Sequence, residues 1–109
     1  MSDIINLQKE ALAFRDARDW AQFHNPKDLA LGLSIEASEL LECFLWKDAK
    51  AADPAKIKEE IADVLIYTLL LAHESKIDLA DAVRAKLKRN SEKYPVDKAK
   101  GRSDKYDQL

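Results

Sequence analysis

The chain has 109 residues, 47% of them hydrophobic and 35% charged, with a formal net charge of -2. This is enough for one domain with a modest core. The mildly acidic balance argues against a binder of nucleic-acid polymers, though not against a nucleotide whose charge is met by a cation. Two glycines and three prolines leave few turns, which favours a few long helices over many short strands.

Cys43 is the single cysteine, so no intrachain disulfide can form and the chain suits a reducing compartment. The start, Met1-Ser-Asp-Ile-Ile, lacks the basic-then-apolar order of a secretory leader. The longest apolar stretch, Val64 to Ala72, contains Tyr67 and Thr68 and is too short to span a bilayer. The expected address is the cytoplasm, with no membrane partner.

Ser2 can cap a first helix, with Asp3 in its first turn and Ile4, Leu7, Ala11 and Phe14 along one stripe. The segment Asp19 to Asn25 breaks that period and reads as a loop. Asn25-Pro26 is a cap followed by a proline at the first helical position, and predicts a second helix to about Trp46. Its main apolar stripe is Leu29, Leu33, Ala37, Leu40 and Phe44, bordered by Glu36 and Glu39. Leu31, Ile35 and Leu45 fall outside that stripe, as on a helix covered on more than one side.

Lys47 to Asp53 is a polar linker, and Asp53-Pro54 starts a third helix that runs to about Ser75. From Ile61 to Ala72 it is apolar nearly all round, apart from Asp63 and Thr68. That exceeds what a chain of this size can cover alone, and points to a homo-oligomer with this helix at its centre. Asp78 can cap a fourth helix with Leu79, Val83 and Leu87 on its inner side, ended by Pro95. The expectation is therefore an all-α, four-helix domain over residues 1–95. A charged, non-periodic tail follows over 96–109, mobile in isolation.

The chemistry lies in two carboxylate pairs, Glu36-x-x-Glu39 and Glu60-x-x-Asp63, each at i,i+3 on one helical face. Two such helices side by side aim four anions at one spot, which is costly unless a cation sits among them. Hard divalent ions, Mg2+ above all, are held by carboxylate oxygens, and a metal held this way suits phosphate chemistry. The competing reading is two solvated acidic faces, with Glu59 and Glu60 simply suited to an early helical turn. On the fourth helix Lys86, Asn90 and Lys93 share a face. Lys86 can bind phosphate and Asn90 a sugar or base edge if that face turns toward the acids. Trp20, Phe23, His24 and Trp46 can stack a nucleobase or simply plug a helix end. No phosphate loop, dinucleotide fingerprint or Glu-x-x-His pair is present, and one Cys with two His makes a structural zinc site a poor fit. Cys43 reads as a small residue at the edge of the core.

With these residues in view, the chain resembles the MazG-like, all-α nucleoside triphosphate pyrophosphohydrolases. Glu36-Ala-Ser-Glu39 followed by Glu60-Ile-Ala-Asp63 matches their acidic signature. Arg18-Asp-Trp-Ala-Gln-Phe-His24, Glu36 to Lys47, Glu59 to Tyr67, and Lys86-x-x-x-Asn90 with Tyr94-Pro95 are closest to the dCTP pyrophosphatase branch. The resemblance implies a subunit of a homotetramer built as a dimer of dimers. It implies Mg2+, or Mn2+ in its place, and cleavage of a deoxynucleoside triphosphate, dCTP or a modified dCTP, to monophosphate and pyrophosphate. Carried over by position, Glu36, Glu39, Glu60 and Asp63 are the metal ligands. Trp20, Phe23, His24 and Trp46 form the base pocket, while Tyr67, Lys86 and Asn90 contact phosphate or sugar. Glu39 and Glu60 are the candidates for the group that takes the proton from the attacking water. Ala11 departs from the animal members, where a histidine is expected near that position. Two other readings stay open on the residues alone: a non-enzymatic helical oligomerisation or adaptor module, and a metal-dependent hydrolase of another phosphorylated compound.

Overall fold

The structure is a computed structural model and describes residues 3–109; the cap expected of Ser2 lies outside the described residues. It is all-α, with no strand among the described residues. Four long helices are present, α1 (Asp3–Ala17), α2 (Pro26–Glu42), α3 (Pro54–Glu74) and α4 (Leu79–Lys93), with a one-turn α5 (Val96–Ala99) in the tail. No described helix is long and apolar enough to cross a membrane. The chain divides into two compact units, one ending at Ile77 and the other running from Asp78 to Leu109.

In the first unit α3 is the spine, and both α2 and α1 pack against it. The expected caps form. The N–H of Asp28 donates to Asn25 Oδ1 at 2.9 Å and that of Ala55 to Asp53 Oδ1 at 3.0 Å, with Pro26 and Pro54 in the first turns. Leu29 on α2 and Leu69, Leu70 and Ala72 on α3 are buried, and Gln8 Nε2 of α1 donates to the Leu69 carbonyl at 2.9 Å. The hydroxyl of Thr68 donates to the Val64 carbonyl at 2.8 Å, which satisfies a neutral polar group in the apolar run. Gly32 of α2 lies against the Tyr67 ring of α3, which a Cβ there would overlap.

Three details depart from the expected elements. Helix α2 stops at Glu42, not near Trp46, and Cys43, Phe44 and Leu45 donate three residues back, a tightened turn that ends with Trp46 at φ 58°. The loop Asp19 to Asn25 contains one 3-10 turn, Ala21–Phe23. Helices α1 and α3 both close in a Schellman motif, with carbonyls satisfied five and three residues on. Trp20 N–H donates to the Arg15 carbonyl and Ile77 N–H to the Ala72 carbonyl, with Asp19 (φ 56°) and Lys76 (φ 57°) where glycine is usual.

In the second unit the Asp81 N–H donates to Asp78 Oδ1 at 3.0 Å, capping α4, and Pro95 follows its end. The tail has more local structure than its composition suggests. Besides α5 it carries a 3-10 turn, Tyr106–Gln108, whose Tyr106 meets Tyr94 edge-on at 6.2 Å with Lys93 Nζ 4.8 Å from its ring centre. The expected inner face of α4 is open, with Val83 50% and Leu87 62% exposed.

Candidate active site

The two acidic pairs meet because α2 and α3 pack side by side. One carboxylate oxygen from each of Glu36, Glu60 and Asp63 lies within 4.8 Å of the others, on the order of two metal–oxygen bonds. Glu39 interacts with both Glu36 and Glu60. Glu36 Oε2 and Glu60 Oε2 are buried with no hydrogen-bond partner. Burial, then a hydrogen bond with Glu39 and the charges of Glu39, Asp63 and Glu60, raise the Glu36 carboxyl from 4.5 to about 7. Glu60 is raised for similar reasons, with burial first and the charge of Glu39 next. Crowded anions with orphaned oxygens are what a hard divalent cation relieves, and an all-oxygen donor set fits one.

The acids stand between two cavities. Glu36 and Asp63 line a cleft of about 700 Å³ whose walls are largely apolar, with Leu7 and Phe14 of α1 and Leu65, Ile66 and Leu69 of α3. Glu39 and Glu60 line a second cavity of about 310 Å³, polar, with Lys47, Lys56 and Cys43 around it. The Cys43 thiol is half-buried and donates weakly to the Glu39 carbonyl at 3.7 Å.

The aromatic edge of the larger cleft follows from the way α1 ends. The residue after an αL closure commonly packs back onto the last turn. Here Trp20 does so against Phe14, edge-on at 5.8 Å, and the Arg18 guanidinium lies over the Phe14 ring at 3.6 Å from its centre. His24 lines the same cleft, its Nδ1 buried and unpaired. Burial and then the nearby charge of Arg15 lower its pKa below the ordinary 6.5, while Glu74 pulls the other way.

A model of the MazG-like family matches residues 31–109. The chain belongs to the MazG-like family. Over its full length this MazG-like chain is 38% identical to dCTP pyrophosphatase 1 of Bos taurus, covering 68% of that protein, in a 117-residue alignment. It is 39% identical to dCTP pyrophosphatase 1 of Homo sapiens, covering 67% of it. Among solved structures it is similar to a pyrophosphatase from Archaeoglobus fulgidus DSM 4304, with a TM-score of 0.78 and 38% identity, over 87% of this chain and 94% of that one.

Of the other residues singled out in the sequence, Tyr67 joins Trp20 and His24 in the larger cleft. Phe23 and Trp46 do not line either cavity and are 63% and 94% exposed. Lys86 is exposed and Asn90 half-buried on α4 of the second unit, where the Asn90 carbonyl accepts the Tyr94 N–H at 2.8 Å. Arg15 and Glu74 are not among the residues that the sequence singles out. Arg15 lines the cleft, is only 7% exposed, and donates from Nη1 to Glu74 Oε1 at 2.7 Å. A signal for it existed: Arg15 continues the inward spacing of Ala11 by one turn, and a cation at an inward position requires a buried anion.

Proposed function

We propose that this MazG-like chain is a Mg2+-dependent pyrophosphohydrolase that converts dCTP or a modified dCTP to the monophosphate and pyrophosphate. The broader class, a nucleoside triphosphate diphosphatase, follows from its full-length relatives. The observation that carries the finer reading is the acid cluster of Glu36, Glu60 and Asp63 on the edge of an aromatic cleft large enough for a nucleoside.

Glu36, Glu39, Glu60 and Asp63 hold the ion, Mg2+ or Mn2+ in its place, which when bound neutralises phosphate charge and makes the α-phosphorus more electrophilic. Trp20 stacks the base and His24 meets its polar edge, while Phe23 and Trp46, exposed outside the cleft, join the pocket only by moving onto the bound base. Tyr67, Lys86 and Asn90 contact phosphate or sugar, from the same or a neighbouring subunit. Glu39 or Glu60 takes a proton from the attacking water. The new oxygen–phosphorus bond forms at the α-phosphate as the bond to the α,β-bridging oxygen breaks, and the departing pyrophosphate is held by Lys86. No covalent intermediate is required.

The same reading makes the working form a homotetramer, a dimer of dimers. Its support is the apolar surface left uncovered on α2 and α3, where Leu31, Ile35, Leu41 and Ile61 are 54%, 60%, 70% and 52% exposed.

The test is pyrophosphate release from the four dNTPs and their ribo counterparts with Mg2+, beside calorimetry with a non-hydrolysable nucleotide. Preferential turnover of dCTP, with nucleotide binding that requires the ion, is expected. Turnover of another nucleotide in preference removes the dCTP assignment. Absence of both turnover and ion-dependent binding removes the whole reading.

A further inference from the structure

Arg15 is a charged residue almost wholly buried in the wall of the aromatic cleft. Its guanidinium is tied twice, Nη1 to Glu74 Oε1 at 2.7 Å and Nε to Asp16 Oδ1 at 3.0 Å. With the Arg15 side chain 9% exposed and that of Glu74 27%, desolvation offsets much of the attraction, and such a pair is a poor way to gain stability. Its position beside a ligand-sized cleft calls for another role.

The backbone of Arg15 supplies one. Its carbonyl accepts the Trp20 N–H at 3.1 Å and so anchors the αL closure of α1. The Trp20 carbonyl then accepts the Phe23 N–H and the Ala21 carbonyl the His24 N–H, both at 3.0 Å. Short local bonds thus brace the turn between Arg15 and His24. Glu74, at the end of α3, fixes the start of that turn to the helix that carries Asp63 and Tyr67. At its far end His24 offers a buried, unpaired Nδ1 in the same cleft.

We propose that Arg15 and Glu74 form a positioning pair that holds His24 in register with the acid cluster, so that its unpaired Nδ1 reads a hydrogen-bonding edge of the pyrimidine base. This rests on the reading of the cleft as the base site. Burial, and then the guanidinium charge against the opposite pull of Glu74, disfavours a second proton on the imidazole, so the ring keeps one donor and one acceptor for that edge. Arg15 and Glu74 do not touch the substrate in this account, and their effect passes through His24.

The decisive experiment is a double-mutant cycle between the pair and His24, on the full chain with Mg2+. Arg15→Met with Glu74→Met removes the pair at similar volume, and thermal melting confirms folding. The expected result is a roughly tenfold rise in KM for the preferred dNTP, with kcat within about twofold and weaker discrimination among bases. In the His24→Ala background the same substitutions should add nothing further. The charge-reversed chain, Arg15→Glu with Glu74→Arg, keeps the brace but reverses the charges beside the ring. Because the brace is kept, it should bring KM back to within about threefold of the wild-type value, while the altered charges displace the His24 ring resonances in NMR. Additive effects in the cycle, or a reversed pair no better than the double-Met chain, overturn the proposal while leaving the site reading intact. A double-Met chain that does not fold moves the cycle to Arg15→Lys, where additivity is equally fatal. A wild-type chain that hydrolyses no nucleoside triphosphate removes both readings together.

Discussion

Glu36 carries the clearest electrostatic signature in the molecule. Its carboxyl is raised to about 7, so the folded chain keeps a proton that the unfolded chain has released above about 4.5. Stability from this group is full in acid and falls as pH rises through that window. The melting temperature of the metal-free chain should therefore drop between about pH 5 and pH 8, and Glu36→Gln should flatten that slope. Mg2+ competes with the proton, so it should raise the melting temperature more at pH 8 than at pH 5. At one hundred times its Kd the gain is about 2.7 kcal/mol. An equal effect at both pH values would argue against an ion among these acids. For the chemistry itself, Glu39→Gln and Asp63→Asn should each lower kcat/KM by about 100-fold or more, measured as pyrophosphate release. Trp20→Ala should act mainly on KM, with a loss of about 1–3 kcal/mol of stacking.

The helix boundaries depend on local chemistry that a sequence displays openly. Asn25-Pro26, Asp53-Pro54 and Asp78 cap α2, α3 and α4 as expected, because an oxygen side chain ahead of a helix finds its own backbone N–H whatever surrounds it. C-terminal closures are less legible. Asp19 and Lys76 occupy positive φ without being glycine, and nothing in their residue type announces it. Lys76→Gly should consequently stabilise the chain by up to about 1 kcal/mol, since the left-handed conformation costs a residue with a Cβ roughly that much. Gly32 shows the opposite case. It sits inside a helix, where glycine is normally a liability, and its purpose emerges only from the Tyr67 ring beside it. Gly32→Ala should lower stability by about 1–3 kcal/mol in denaturant melts, and Tyr67→Ala should suppress that loss.

Taken as a whole, the chain leaves much apolar surface uncovered: among the large apolar side chains Leu29, Leu69 and Leu70 are buried, while Ile35, Leu41, Ile61 and others stand open. The near-continuous apolar run of α3 points to partner subunits, and the open faces of α2 and α3 are the surface that the proposed assembly would cover. Sedimentation of the purified chain should give a tetramer, and Leu31→Glu with Ile35→Glu should shift it to smaller species with lower stability. A wild-type chain that sediments as a monomer would remove the assembly from the proposal.

Periodicity, caps and the paired acids were enough to establish an all-helical chain and to single out Glu36, Glu39, Glu60 and Asp63, because each of those signals lies within a turn or two of one helix. The partition of the acids between an apolar and a polar cavity, the Arg15–Glu74 ion pair and the fit of Gly32 to Tyr67 became visible only in three dimensions. Each joins residues far apart in the chain. Such pairings depend on the register in which one helix lies on another, and a helix's own sequence states which face turns inward but not which residue it will meet there.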